Sequence, residues 1–472
     1  MENRLKLITL FSLTILSLVG MPAQAKTQTY ECAADKTWFT NPSMPAEVKK
    51  SAPNGESNFC DFYQFSWQAF IYLMSPSGKE GAQRNFQVTS NYPILEVSKD
   101  KKPVNSCDDT ITENTLFVSL DKAHGLPERI HQAGDSATIY DQQGDVVYYD
   151  VRFSRNMCDV SDIKTKNNFP SGTTEMKTAW KVLKDGEKDN YLTIVTDVGT
   201  QKNVTLGMIG FHLAIATTDH PEFVWATFEQ KNNAPDCTNP QPTPAKGWSF
   251  TSNQCADLLK KNSVLPLECN FNTAKSSESI TGNPTEICRV YAYGTDLTDP
   301  NALENLGSIT SLNANVAALL SGNMAVFKNY FNVGALWVSN SKEDSSISNQ
   351  RGSLRLANTV AETTFQNVDL NPKTNQGFAS NCFGCHNFEG TGLTTNKNTT
   401  SGGLSHIFDD IAAGMGECLD VQAGPIMSNS QAEAICGGAS GACGNSSSIL
   451  KWNGQWTTTV PGKMSVCGCC GS

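Results

Sequence analysis

Apolar residues at Phe62, Phe65, Ala69 and Leu73 recur at helical spacing, and Pro76 closes that run. Elsewhere the pattern favours strands. Val146 to Phe153, Tyr191 to Thr196, Val204 to Thr217 and Phe223 to Glu229 are rich in β-branched and aromatic residues. Pro235, Pro240, Pro242 and Pro244 then predict a stiff, extended stretch. Residues 300–337 read as helical: Asp299-Pro300 offers a cap and a first-turn proline, and Leu312, Val316, Leu319 and Leu320 share a face. Gly390 to Gly403, dense in Gly, Thr and Asn, reads as a surface loop. Near the end, a strand running to Pro425, a helix capped at Ser428-Asn429 and a hairpin turned at Asn453-Gly454 predict a small βαββ-like unit.

The expectation is an α+β multidomain protein. Arg4 and Lys6, an apolar run from Leu7 to Val19 and Ala23-Gln24-Ala25 read as a signal peptide over residues 1–25. A β-rich region follows over 26–233, then a Pro- and Cys-containing connection over 234–299. A helical region spans 300–417, and the small unit spans 418–472. No later apolar run is long enough for a membrane helix. Export to the periplasm or beyond is therefore expected.

Composition narrows the classes. The chain has 472 residues, a formal charge of −10 and 17% charged residues, which excludes a basic nucleic-acid binder and a highly charged disordered chain. Its 16 cysteines argue for an oxidising compartment. Eight lie between Cys32 and Cys288 and six between Cys418 and Cys470, so each set is even and can close on itself.

The two remaining cysteines lie in Cys382-Phe383-Gly384-Cys385-His386. This is the spacing for one covalent haem c: Cys382 and Cys385 add to the vinyl groups, and His386 becomes the proximal iron ligand. A zinc site would need further paired ligands. His406, Met415 and His212 are candidates for the sixth ligand, beside an open position that would suit peroxide chemistry. Three stretches, Thr174 to Trp180, Ile209 to His212 with Trp225 to Glu229, and Leu356 to Asn358 with Glu362-Thr363, resemble a bacterial family of large exported cytochrome c proteins with one C-x-x-C-H near the end. The resemblance implies haem binding without a known substrate or redox partner, and it makes Glu175, Lys177, His212 and Glu229 candidate site residues.

The tail pairs Ala423-Gly424-Pro425-Ile426-Met427-Ser428-Asn429 with Gly454-Gln455-Trp456-Thr457-Thr458 and Met464-Ser465-Val466. This is similar to the repeat of the cyanobacterial mannan-binding lectins, in one copy where those lectins carry two. The resemblance implies binding of mannose-containing oligosaccharide. It offers Gly424, Pro425, Ser428, Asn429, Gly454, Gln455, Trp456 and Thr458 as sugar-site residues. It also implies a unit stapled by Cys436, Cys443, Cys467 and Cys469, with Cys418 paired to Cys470 at its ends. Met427 stands where the family usually has Trp, and Met464 becomes a core-strand residue rather than an iron ligand. The sequence thus supports an exported haem c protein, for electron transfer or as an oxidoreductase, with a glycan-binding module. Its rivals are a lectin or adhesin with a non-catalytic haem region, and a peroxide-handling enzyme.

Overall fold

The computed structural model describes residues 30–78, 83–88, 90–92, 137–159, 168–198, 201–261, 265–275, 277, 279–343, 345–346, 348–367, 381–386, 401–405, 418–437, 441–444, 450–460 and 463–471. The expected signal peptide and most of the expected 390–403 loop lie outside them.

Helix α1 (Phe59–Met74) contains the expected apolar run and begins one turn before it, because Asn58 and Asp61 cap each other. Asn58 accepts from the Asp61 backbone at 3.0 Å, and the Asp61 carboxylate accepts from the Asn58 backbone at 2.9 Å. A seven-stranded antiparallel sheet follows: β1 (Tyr148–Phe153), β2 (Thr174–Val182), β3 (Thr193–Val198), β4 (Gln201–Ile215), β5 (Val224–Gln230), β6 (Tyr330–Val338) and β7 (Gln350–Gly352). Its order is β1-β2-β4-β5-β6-β7, with β3 also on β4. Between β5 and β6 come α2 (Asn253–Lys261) and α3 (Ala302–Leu319).

The expectation of a helical 300–417 region needs correction. α3 begins at Ala302, after a left-handed Asn301, and Asp299 serves the preceding turn by accepting from the Asp296 backbone at 2.9 Å. Residues 330–338 are a strand, not helix. Every residue of β6 except Phe331 is buried, so its apolar run carries no alternation to betray it. The sheet therefore takes strands from both sides of residues 234–299.

One sheet face packs against α1 and α3. Phe62 stacks on Trp337 at 3.8 Å and Phe70 on Phe228 at 4.2 Å, in a cluster that includes Ile309, Leu312 and Val316. The other face is covered by irregular chain in two apolar clusters. One holds Phe153, Trp225, Leu354, Phe383 and Leu404, and the other Tyr149, Ile209, Phe250, Ile287 and Val360. Disulfides Cys237–Cys288 and Cys255–Cys269 hold the 234–299 connection, and Cys32–Cys60 ties the N-terminal segment to α1.

The C-terminal unit has the expected βαββ order: β8 (Cys418–Ala423), then α5 (Asn429–Cys436), β9 (Leu450–Val460) and β10 (Met464–Gly471), after α4 (Cys382–His386) earlier in the chain. β10 lies between β8 and β9, antiparallel to both. Asn453-Gly454 is not the hairpin turn. It lies inside β9, and the chain reverses between Val460 and Met464. Among the described residues no helix is long and apolar enough to cross a membrane.

Candidate functional sites

Strand register builds the first site. Glu175, Ala214 and Trp225 lie in one row across β2, β4 and β5, and Lys177, His212 and Thr227 in the next. Partners directly opposite in an antiparallel pair share a face. Both rows therefore belong to the face covered by irregular chain, where Lys177 and His212 separate its two apolar clusters. Glu362 comes down onto this row, and its carboxylate contacts Nε2 of His212. The turn that carries Glu362 is fixed by Asn358, whose amide donates to Thr227 at 2.8 Å and whose oxygen accepts from Val360 at 3.0 Å. This turn lies so close to β4 that a Cβ at position 210 would stand 2.9 Å from Val360, which explains the glycine there. Lys177 donates to the Ala361 carbonyl at 3.3 Å. Burial alone would raise the Glu362 carboxyl. The His212 ring and the Lys177 cation outweigh it and bring the group down to about 2.

Beside these rows lies α4. Asn381 caps it, accepting from Gly384 at 3.1 Å while donating to the Leu354 carbonyl at 3.0 Å. Cys382 and Phe383 are buried, and the Phe383 ring centroid is 6.0 Å from that of Trp225. The imidazole of His386 lies 4.6 Å from Trp225, with Nδ1 2.9 Å from the Leu404 carbonyl. A carbonyl only accepts, so Nδ1 carries the proton and the Nε2 lone pair is the coordinating one. Burial pushes this imidazole down to about 4, against the opposing pull of the Leu404 carbonyl, so the ring is neutral at pH 7. These are the protonation state and tautomer that a proximal ligand needs. A five-residue helix ending in the imidazole also keeps both cysteine positions within one turn of it, so the donor set suits haem c. The side chain of Cys385, and His406 and Met415 altogether, lie outside the described residues. Among the described residues no group of three or more His, Cys, Asp or Glu side chains is placed to hold a metal ion.

Of the four upstream candidates, the structure brings Glu175, Lys177 and His212 to the part of this face near His386. Glu229 lies on the same face one row farther along, in the row of Ala179 and Gly210. It is buried in an ion pair with Arg289 at 2.6 Å and accepts from the Thr359 backbone and hydroxyl at 2.7 Å each, which is a structural role. Nε2 of His212 lies against the Glu362 carboxylate. The pattern of the sequence did not single out Glu362, Trp225 or Ser405 as site residues. Glu362 and Trp225 lie within the resembling stretches, but nothing in their spacing tells that they meet His212 and His386.

The second site is in the C-terminal unit. Cys436–Cys467 and Cys443–Cys469 staple α5 and the chain after it to β10, around Ile426 and Ala432. Register sets Cys418 opposite Cys470, while their side chains lie outside the described residues. Between β8 and α5, Gly424, Pro425, Met427 and Ser428 are exposed. The turn is nevertheless pinned. Ile426 N–H donates to Ser465 at 3.2 Å, Met427 N–H to Gln431 at 2.7 Å, and Ser428 caps α5 by accepting from Gln431 N–H at 3.3 Å. Ala423, Ser465 and Thr458 share one level across the sheet, so this turn and the C-terminal part of β9 lie at the same end. Gly454 and Gln455 lie farther back along β9. Trp456 is half-buried against the disulfide core, so part of its ring serves packing. Side chains at Asn429, Gln455 and Thr458 lie outside the described residues. Met464 is buried in β10, as expected of a core-strand residue.

Residues 429–469 match the Mannan-binding protein family. No curated protein and no solved structure matches the chain. The family match and the two disulfides support a mannan-binding lectin domain in this part of the chain. No comparison reaches Cys382–His386, and none supports haem.

Proposed function

We propose that this is an exported glycan-binding protein whose C-terminal unit recognises mannose-containing oligosaccharide. The observation that carries the reading is the family match over residues 429–469. The pinned, exposed turn 424–428 supplies the surface, since polar groups on a fixed backbone satisfy sugar hydroxyls at little entropic cost. The disulfides fit an oxidising compartment, periplasmic or extracellular. The full-length oxidised protein on a glycan array should bind mannosides, with competition by free oligomannoside. Absence of mannoside binding would refute the reading.

A second reading is favoured by His386. Its neutral imidazole, with Nδ1–H directed at the Leu404 carbonyl, supports covalent haem c at Cys382 and Cys385 with His386 as proximal ligand. When bound, haem supplies one-electron chemistry. The chain would hold the ring under the iron and exclude water with Phe383, Trp225 and Leu404. Protein made with a cytochrome c maturation system should show a haem-sized mass increment and a sharp reduced α-band. A polypeptide of bare mass from a competent host would exclude the attachment.

A further inference from the structure

We infer that residues 401–405, anchored by Glu175 and by the Phe169 backbone, form a strap that fixes the orientation and tautomer of His386. The inference rests on the haem reading above and adds positioning residues to it. The strap is one short helical turn, Ser401–Leu404, followed by Ser405. Left alone, a turn of this length would not hold a carbonyl in place.

Three contacts fix it. At its start, Ser401 Oγ accepts from the Phe169 N–H at 2.7 Å. In its middle, the fully buried Leu404 side chain joins the apolar cluster of Trp225 and Phe383. At its end, the Ser405 hydroxyl donates to the Glu175 carboxylate. Ser401, Leu404, Ser405 and Glu175 are all buried. Glu175 lies on β2, whose register with β4 is set over nine residue pairs, so the anchor is rigid.

A buried carboxylate is costly unless donors satisfy it, and a charge-assisted bond from a serine is among the stronger neutral-donor contacts. Here the cost is offset by a contact next to the Leu404 carbonyl, which takes the His386 Nδ1–H at 2.9 Å. Trp225, at 4.6 Å, constrains the ring from another side. An imidazole held this way cannot swing or exchange tautomer without breaking the strap. A carbonyl on Nδ1–H also strengthens the other nitrogen as a donor, which favours oxidised over reduced iron.

The test uses full-length holoprotein from a cytochrome c maturation host and reads the midpoint potential and the optical spectrum. Ser405→Ala should change the oxidised-to-reduced ratio at fixed applied potential about tenfold toward reduced, an upward shift of about 59 mV. Ser405→Thr retains the hydroxyl and should restore the wild-type potential. Glu175→Gln retains an acceptor oxygen without the charge and should fall between. Equal potentials for Ser405→Ala and Ser405→Thr would overturn the strap. Should Ser405→Ala fail to fold, a Glu175→Gln potential identical to wild type would overturn it. A wild-type protein that takes up no covalent haem would overturn the strap and the haem reading together, whereas normal haem with an indifferent Ser405 would overturn the strap alone.

Discussion

Replacing Arg289 with Met should destabilise the sheet-bearing part of the protein by about 3–5 kcal/mol, the usual cost of removing one partner from a buried ion pair. Arg289 is buried between Glu229 at 2.6 Å and Asp236 at 2.7 Å, and its guanidinium lies 5.1 Å from the Phe331 ring centroid. Met fills much of the same space, so cavity formation adds little. The backbone does not depend on the side chain. Arg289 N–H donates to the Pro235 carbonyl and its own carbonyl accepts from Cys237, each at 2.8 Å, next to the Cys237–Cys288 disulfide. The loss therefore reports two carboxylates left without their cation. Glu229 keeps two donors from Thr359, which limits its share, and Asp236 keeps contacts with Gln241. Urea unfolding of the oxidised protein, followed by tryptophan fluorescence, measures the effect. Adding Glu229→Gln to Arg289→Met should recover part of it, because the uncompensated charge is removed. A loss below about 1 kcal/mol, or no recovery in the double variant, would refute the assignment of Glu229 to structure and return it to the candidate site.

Met427 is 70% exposed on a pinned backbone, so Met427→Ala should weaken oligomannoside binding and Met427→Trp should strengthen it. Each change should be several-fold, from about 1 kcal/mol of apolar contact, read by titration calorimetry. Glu362 titrates near 2 in the folded chain against an ordinary 4.5. Its contribution, at most about 3 kcal/mol, is complete above pH 4.5 and lost as the pH falls toward 2. Glu362→Gln should therefore be less stable than wild type at pH 7 and equal to it near pH 2, and a stability difference independent of pH would contradict this. Reducing Cys436–Cys467 and Cys443–Cys469 should abolish mannoside binding, since each bridge in a unit this small is worth about 2–5 kcal/mol. Binding that survives reduction, verified by thiol counting, would show that the staples are dispensable.

Much of this fold could be read from local pattern, and the failures have physical causes. α1 was legible because its apolar spacing and its proline stop lie within a few turns of each other; its Asn58–Asp61 cap came only from the structure. Of the strands between 146 and 229, β1, β3, β4 and β5 were legible from residue type, whereas β2 was not read as a strand. β6 was not: burial on both faces removes the period-two signal, and an adjoining true helix invites the same reading for the whole run. Asn453-Gly454 is a favourable turn pair in isolation. In the folded unit, cysteines at 467 and 469 are bridged to 436 and 443, which ties β10 to α5 and the chain after it, while β10 pairs with β9 along its length. A register irregularity between Cys467 and Cys469 then absorbs the pair within the strand. The haem expectation for Cys382 to His386 rests on a spacing that is local in the chain and so could be read directly. Glu362 could not be, because its partner His212 is 150 residues earlier and only the docking of the Asn358 turn onto the sheet brings them together.

The two sites are held by different physics, and this follows from the size of the core each has available. The large sheet buries both faces, so irregular chain laid on it can be fixed by hydrogen bonds that water does not reach: Asn358 to Thr227, Ser405 to Glu175, Arg289 to Glu229. Charged groups on that face are tolerated because each is satisfied by a partner delivered from a distant segment. The C-terminal unit has no such resource. Its buried cluster is Ile426, Ala432 and four half-cystines, with Trp452 and Trp456 only half-buried. A core this small does not by itself offset the entropy of ordering the chain, so covalent bonds take that role. The turn at 424–428 can then remain exposed and rigid at once, a combination that suits recognition of a hydrated, flexible sugar.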